Sequence, residues 1–228
     1  MSLGFGNPPP ATATAHRQRP DRTTRPIQTH TQQQEEHHGR LPHQGRQRQL
    51  TKQAPDLKAV TVGLGWDLRT TTGDDFDLDA SAILCTEEGK VVSDRDFVFF
   101  NNLISSNGAV QHTGDNLTGE GEGDDEVIKV DLNSVPTEVA KIVFPVSIYE
   151  GDSRGQTFGQ VRNAFIRVLD QSGGAELARY DLTEDASTET AMVFGELYRS
   201  GTEWKFRAVG QGYVSGLKGI ATDFGVHL

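Results

Sequence analysis

The strongest constraint on the fold of this chain is a series of short segments in which apolar and polar residues alternate. Val60, Val62 and Leu64 alternate with Thr61 and Gly63, which is the period of a β-strand with one buried face. Similar segments, or short apolar runs, lie at residues 76–85, 97–100, 126–132, 142–149, 163–170, 175–182, 191–199 and 203–209. Many short strands joined by polar loops predict an all-β fold, a β-sandwich of two sheets whose apolar faces form the core.

Little of the chain favours helix. Residues 133–140, which include Pro136, predict one short helical turn, and residues 215–224 predict a short terminal helix. The long polar stretch at 105–125 has neither a helical nor a strand period. Loops of this length inside a domain are usually functional or disordered.

The first part of the chain differs in kind from the rest. Residues 1–49 are rich in Gln, Arg, His, Pro and Thr and contain few large apolar residues. Such a segment cannot bury enough surface to offset the entropy lost on ordering. We therefore expect a disordered tail at 1–49 and a folded domain at 50–228.

Charge and cysteine content narrow the function classes. Residues 1–56 contain seven Arg and one Lys against two Asp and two Glu, which gives them a charge of +4. Because the net charge of the whole chain is −10, residues 57–228 carry −14. An acidic domain argues against nucleic acid as a partner, because phosphate binding needs clusters of Lys and Arg. The single cysteine, Cys85, excludes an intrachain disulfide, which suits the cytoplasm, and no apolar run predicts a membrane span.

The highest density of candidate metal-binding side chains is in the acidic loop, Asp115–Glu126. Half of its twelve residues are acids and none is basic, and glycines at 119, 121 and 123 separate the acids. Carboxylates packed this closely repel one another unless a cation neutralises them or the loop is a disordered linker. Ca²⁺ takes six to eight oxygen ligands, so the loop predicts a calcium site. An EF-hand is excluded, since Leu117 and Gly119 stand where that motif places oxygen ligands.

Other oxygen-rich positions lie at predicted strand ends. Asp77 and Asp79 have the i, i+2 spacing that puts both side chains on one face of a strand. Asn101 and Asn102 follow an apolar run. If these loops converge, they hold one Ca²⁺ ion or two, whereas Mg²⁺ demands a tighter octahedron. The predicted metal ligands are Asp77, Asp79, Asn101, Asn102, Asp115, Asn116, Glu122, Asp124, Asp125 and Glu126.

Catalytic alternatives have weaker support. Cys85 lies in an apolar segment, which favours a buried core residue over a nucleophile. His112 has no evident Ser or Cys partner and is interpreted as a hydrogen-bonding loop residue. The expectation is therefore a protein that is not an enzyme, and a metal- or thiol-dependent enzyme using Cys85 is the alternative.

Several motifs together resemble one family. They are Val62–Asp67 (VGLGWD), Phe76–Ser81 (FDLDAS), Phe99–Asn102 (FFNN), Gly114–Glu126 (GDNLTGEGEGDDE), Phe158–Ala164 (FGQVRNA) and Trp204–Phe206 followed by Gly210–Tyr213 (GQGY). This series is similar to the TerD family of tellurium resistance and stress-response proteins.

The resemblance implies a calcium-binding β-sandwich with a role in resistance to tellurite and other chemical stresses, and no defined catalytic activity. It implies a calcium-dependent interaction module in the cytoplasm or at the inner face of the membrane. The implied partners are other stress-response or membrane-associated proteins. A calcium-bridged membrane-surface module is a second interpretation.

The segment before Leu50 departs from the family, whose first strand resembles GVSLTKGGNVSLTK. Arg40–Gln49 reads RLPHQGRQRQ. One possible coding sequence, CGTCTCCCTCACCAAGGGCGGCAACGTCAG, gives VSLTKGGNVS when it is read one base later. We infer that residues 1–49 are an out-of-frame reading; if they are native instead, the domain lacks its first strand and exposes a strand edge.

Resequencing the gene tests this inference, and we expect one additional base just before the Leu50 codon. An uninterrupted frame through this junction, together with a peptide from residues 1–49 in the native protein, would show that the printed sequence is correct.

Overall fold

The computed structural model describes residues 47–50, 54–119, 123–181 and 188–227, and the predicted tail lies almost wholly outside them. The strands are β1 (Gln47–Gln49), β2 (Ala59–Gly65), β3 (Leu78–Ala80), β4 (Ala82–Cys85), β5 (Phe97–Val98), β6 (Val110–His112), β7 (Glu126–Asp131), β8 (Lys141–Ile148), β9 (Phe165–Asp170), β10 (Glu176–Asp181), β11 (Ala191–Ser200) and β12 (Glu203–Tyr213). The α-helices are α1 (Gly151–Arg154) and α2 (Gly216–Asp223), and 3₁₀ turns lie at Asp94–Asp96 and Phe158–Gln160.

These strands form two antiparallel sheets. The larger has the order β1-β12-β11-β8-β4-β5, with β3 also paired to β8, and the smaller has the order β10-β9-β2-β7-β6. Apolar side chains from both sheets meet in one core, which includes Val62, Phe144 and Phe194. The predicted β-sandwich with short helices is therefore confirmed, and the alternation along strands such as β2 is its cause.

A second apolar cluster covers the outer face of the larger sheet. Ile83, Cys85 and Val193 pack there with Ile220 and Ala221 of the terminal helix α2. The sequence predicted this helix at 215–224, which agrees with Gly216–Asp223. The outer face of this sheet is consequently closed to solvent at Cys85, which is fully buried.

The predicted strand at 76–85 is divided at Ser81. The register is the same on both sides, with Ala80 opposite Val146 and Ile83 opposite Val143. Pro145 of β8 has no N–H to donate at this point, although its carbonyl accepts the Ser81 N–H at 2.9 Å. The hydrogen-bond ladder with β8 is interrupted there. The two acids of this segment that were predicted as metal ligands lie within β3 and directly before it.

Two other local predictions differ from the structure. His112 belongs to β6 rather than to a loop, and this strand is only three residues long. Residues 133–140 form turns rather than the predicted helical turn. The carbonyls of Val135, Pro136 and Val139, which backbone N–H groups would satisfy in a helix, accept hydrogen bonds from the Arg199 guanidinium instead.

The expectation that the printed N-terminal sequence, if native, leaves the domain without a first strand is wrong in part, because β1 pairs with β12 through Gln47 opposite Arg207 and Gln49 opposite Lys205. Backbone pairing needs only N–H and C=O groups, which nearly any sequence supplies.

Candidate metal centre

Three carboxylates from two segments of the chain meet at one end of the sandwich. Asp77 directly precedes β3, Asp79 lies within it, and Asp115 lies in the loop after β6. One oxygen from each carboxylate lies within 4.8 Å of the others. Asp77 and Asp79 are buried and Asp115 is exposed, so the group has two inner carboxylates and one at its mouth.

Burial and mutual repulsion make full ionisation of this group unfavourable. Burial, followed by the charges of Glu126, Asp77 and Asp115, raises the pKa of Asp79 to about 8. Burial and the charge of Asp115 raise the pKa of Asp77 to about 6, although Arg154 opposes the shift. Either protons or a cation must therefore compensate the carboxylates near neutral pH.

One buried oxygen of the group also lacks a partner. Asp77 is 8% exposed, and its Oδ1 makes no hydrogen bond with any described residue. Buried polar atoms are usually satisfied, and an unsatisfied carboxylate oxygen beside two other carboxylates fits a cation ligand. Three aspartates supply up to six oxygens, which suits a hard cation such as Ca²⁺.

A fourth acid, Glu126, lies behind this group and is 1% exposed. Its Oε2 accepts the Ala80 N–H at 2.5 Å, and its Oε1 accepts the Asn116 N–H at 3.4 Å. Burial raises the pKa of Glu126, while His112 and these two N–H groups lower it. The sequence predicted Glu126 as a ligand, and the structure surrounds its carboxylate with protein donors.

The side chains of Asn116 and Asp125 shape the loop. Asn116 Oδ1 accepts the N–H groups of Thr118 and Gly119, which closes an Asx turn. Asn116 Nδ2 donates to Asp125 Oδ1 at 3.4 Å, and Asp125 Oδ2 accepts the Trp66 N–H at 2.9 Å. Burial raises the pKa of Asp125, as do the charges of Asp124 and Asp67.

The loop lies against Trp66, which also explains one of its glycines. The buried Trp66 indole donates to the Phe76 carbonyl at 3.1 Å. Gly119 has φ of +75°, and a Cβ there would stand 2.6 Å from Trp66 Nε1. Only glycine fits both requirements, so the loop that carries Asp115 has a fixed path over the indole.

Asp124 lies away from the three-acid group, on the outer face of the smaller sheet. Its carboxylate stands over Gly63 of β2, where a Cβ would lie 2.2 Å from it. Asp124 Oδ1 accepts from Arg167 Nε of β9 at 2.8 Å. The Asp124 side chain is 9% exposed and that of Arg167 is 27% exposed, so the pair is largely desolvated.

We expect Arg167→Ala to lower the free energy of unfolding by about 2 kcal/mol, because it leaves the Asp124 carboxylate without its counter-charge. Urea unfolding at pH 7 measures the change. Asp124→Ala and the double variant complete a mutant cycle, in which a coupling energy near zero would contradict the ion pair.

Two further predicted ligands, Asn101 and Asn102, lie in the turn after β5. Asn102 Nδ2 donates to the carbonyls of Phe97 and Arg95 at 2.7 and 3.1 Å, so this amide closes the turn after β5. Asn101 is exposed in the same turn. Glu122 lies outside the described residues and stays a prediction.

Comparison with known proteins decides the family. A family model described as the TerD domain matches residues 43–224. The chain belongs to the TerD family. The resemblance predicted from the motifs is therefore confirmed, and the family match starts seven residues before the predicted domain boundary at 50.

Individual TerD-family relatives agree. The chain is 61% identical over 178 residues to tellurium resistance protein TerD of Serratia marcescens, covering 78% of this chain and 93% of the relative. It is 52% identical over 185 residues to general stress protein 16U of Bacillus subtilis, covering 81% and 96%. The solved structure of a homologue of telluride resistance protein (TerD) from Streptomyces coelicolor has a TM-score of 0.62 at 26% identity, covering 74% of this chain and 98% of that chain.

Two other candidate functional side chains, His112 and Cys85, lie outside the predicted ligand set, and only His112 lies beside the acids. His112 is 1% exposed and lies 3.4 Å from Glu126, measured between Nε2 and Oε2. The alternation of Val110, Gln111 and His112 was the sequence signal for an inward-facing histidine, but three residues were too few to identify a strand. Cys85 is buried as predicted, and burial raises the pKa of its thiol to about 12.

Proposed function

We propose that this TerD-family protein binds Ca²⁺ without being an enzyme, and that it acts in resistance to tellurite and other chemical stress as a calcium-dependent interaction module. The observation that carries the proposal is the convergence of Asp77, Asp79 and Asp115, together with the buried Asp77 Oδ1, which has no hydrogen-bond partner among the described residues. The names of the relatives supply the stress context.

The composition of the group favours Ca²⁺ over transition metals. All three side chains are carboxylates, which prefer hard cations, and no histidine or cysteine belongs to the group among the described residues. Asp77, Asp79 and Asp115 would hold the ion, and a second ion remains part of the prediction. Bound Ca²⁺ would offset the repulsion between these carboxylates and stabilise the loop that carries Asp115.

Stabilisation of this loop by Ca²⁺ would suit a module that binds its partners only in the calcium-bound form. The proposed partners are calcium and other stress-response or membrane-associated proteins, in the cytoplasm or at the inner membrane face. Within the described residues, none of the helices has the length and apolar character needed to cross a bilayer. Membrane and soluble fractions prepared with and without EGTA would test the location.

The alternative of a thiol enzyme finds little support in the surroundings of Cys85. The thiol is 0% exposed, lies beneath helix α2, and has a pKa raised to about 12 mainly by burial. Nucleophilic cysteines need an accessible thiolate near neutral pH. The geometry therefore supports a structural role for Cys85.

We expect Ca²⁺ to raise the melting temperature. At a hundredfold excess over Kd, binding adds about 2.7 kcal/mol, and this corresponds to a rise of about 5–10 °C for a domain of this size. Differential scanning fluorimetry and calorimetric titration measure the effect, with Mg²⁺ as the ion control. Asp115→Asn is the matched variant, because this exposed side chain can change without disturbing the core, and it should reduce the rise. A well-folded sample whose melting temperature does not respond to millimolar Ca²⁺ would contradict the proposal.

A further inference from the structure

The carboxylate of Glu126 is positioned differently from the three aspartates. Its Oε2 accepts the Ala80 N–H at 2.5 Å and its Oε1 accepts the Asn116 N–H at 3.4 Å. Asp77 Oδ1, by contrast, has no hydrogen-bond partner among the described residues. Both oxygens of Glu126 are thus already engaged by protein N–H groups.

His112 adds a third polar neighbour to the Glu126 carboxylate. The Gly114 N–H donates to His112 Nδ1 at 3.2 Å, so the proton of the neutral imidazole lies on Nε2. That nitrogen faces Glu126 Oε2 at 3.4 Å, and both side chains are almost fully buried. The imidazole therefore presents an N–H to the carboxylate on a side closed to solvent.

The groups around Glu126 belong to the two segments that supply the aspartates. Ala80 follows Asp79 on β3 of the larger sheet. Asn116 follows Asp115, in the loop after β6 of the smaller sheet. Glu126 begins β7 of the smaller sheet, so one carboxylate connects the backbone beside Asp79 to the backbone beside Asp115.

We propose that Glu126 is a positioning residue: its carboxylate holds the Asp79 and Asp115 segments at a fixed separation and does not itself bind the cation. The role of the cation rests on the proposed function, whereas the connection between the two segments exists without any ion. This proposal replaces the prediction that Glu126 is a ligand.

The two roles predict different coordination of a bound ion. Removing a ligand lets water enter the coordination sphere, whereas removing a positioning group weakens binding with the same ligands in place. Groups that orient metal ligands typically change affinity by about 10- to 100-fold when they are replaced. Glu126→Gln retains the shape of the side chain and one acceptor oxygen but loses the charge and one acceptor.

The experiment uses Tb³⁺ in place of Ca²⁺, since its luminescence lifetimes in H₂O and D₂O count the coordinated water molecules. We expect Glu126→Gln to bind Tb³⁺ about tenfold more weakly than wild type with an unchanged water count. Asp115→Ala should raise the count by about one, because it removes every side-chain oxygen at this exposed position, whereas an amide oxygen could still bind the ion. Glu138→Gln, at an exposed loop residue, removes the same charge and should change neither quantity.

A higher water count in Glu126→Gln or Glu126→Ala, equal to that of Asp115→Ala, would overturn the proposal by making Glu126 a ligand. Wild-type affinity for Tb³⁺ in Glu126→Gln would also overturn the proposal, because metal binding would then be independent of the Glu126 carboxylate.

Amide hydrogen exchange in the ion-free protein separates this proposal from the calcium proposal. We expect faster exchange at Ala80 and Asn116 in Glu126→Gln, and wild-type rates there in Glu138→Gln. Unchanged exchange at both amides in Glu126→Gln would refute the connection. Failure of wild type to bind either ion would refute only the proposed function. If Glu126→Ala folds, it should accelerate exchange at both amides further.

Discussion

Asp79→Asn is expected to be more stable than the wild-type protein at pH 8 when divalent cations are absent. The Asp79 side chain is buried at 4% exposure beside Asp77, Asp115 and Glu126. Its pKa rises from 3.8 to about 8 in the folded protein. An amide of the same shape carries no charge, so it removes both the desolvation of an ionised group and its repulsion of the neighbouring carboxylates.

The direction of the pH dependence follows from proton linkage. Between about pH 4 and pH 8 the unfolded chain releases the Asp79 proton, whereas the folded protein retains it. The contribution of Asp79 to the free energy of unfolding is therefore highest below about pH 4, decreases as the pH rises, and levels off above about pH 8. For one group shifted this far the loss is on the order of 5 kcal/mol, and Asp77 acts in the same direction up to about pH 6.

Urea unfolding of the EGTA-treated protein between pH 5 and 9 measures this loss. The wild-type midpoint should fall with rising pH, and that of Asp79→Asn should fall much less. Asp56→Asn removes the same charge at an exposed loop position and should follow the wild type. Parallel wild-type and Asp79→Asn curves would show that Asp79 titrates normally in the folded state.

The architecture could be predicted from the sequence because each strand carries its own burial pattern. Val60, Val62 and Leu64 alternate with Thr61 and Gly63 whatever the partners of β2 are, and the sandwich buries all three apolar side chains. The division of β3 from β4 was not predictable in this way, because its cause, Pro145, lies on a different strand and acts only through pairing.

The acids of the site were predictable as a composition but not as an arrangement. Asp77 and Asp79 are two residues apart and Asp115 is far along the chain, and the structure brings them together. Asp124 and Asp115 belong to the same acidic loop, yet Asp124 pairs with Arg167 on the outer sheet face. Their nearness in the sequence could not predict that Asp115 and Asp124 have different partners, because the pairing of β2 with β9 determines which carboxylate lies beside the Arg167 guanidinium.

Binding of Ca²⁺ is expected to weaken about tenfold for each pH unit between pH 8 and pH 6. A carboxylate must be ionised to bind the ion, and Asp79 with a pKa of about 8 is mostly protonated across this range. Each ion bound then displaces about one proton, so the affinity falls about a hundredfold over two units, equivalent to about 2.7 kcal/mol. Below about pH 6, where Asp77 is also protonated, two protons are displaced and the dependence becomes steeper.

Calorimetric titration in two buffers with different heats of ionisation measures the number of protons released at each pH. Asp77→Asn should remove the steeper dependence below about pH 6 and move the Asp79 dependence to lower pH, since Asp79 remains to exchange its proton but loses a neighbouring charge that raises its pKa. Wild-type affinity that stays constant from pH 6 to pH 8 would exclude Asp79 as a ligand with a raised pKa. Because the Asp79 pKa lies near neutrality, a small alkaline change would strengthen calcium binding, and calcium and proton concentrations would jointly determine how much protein carries the ion.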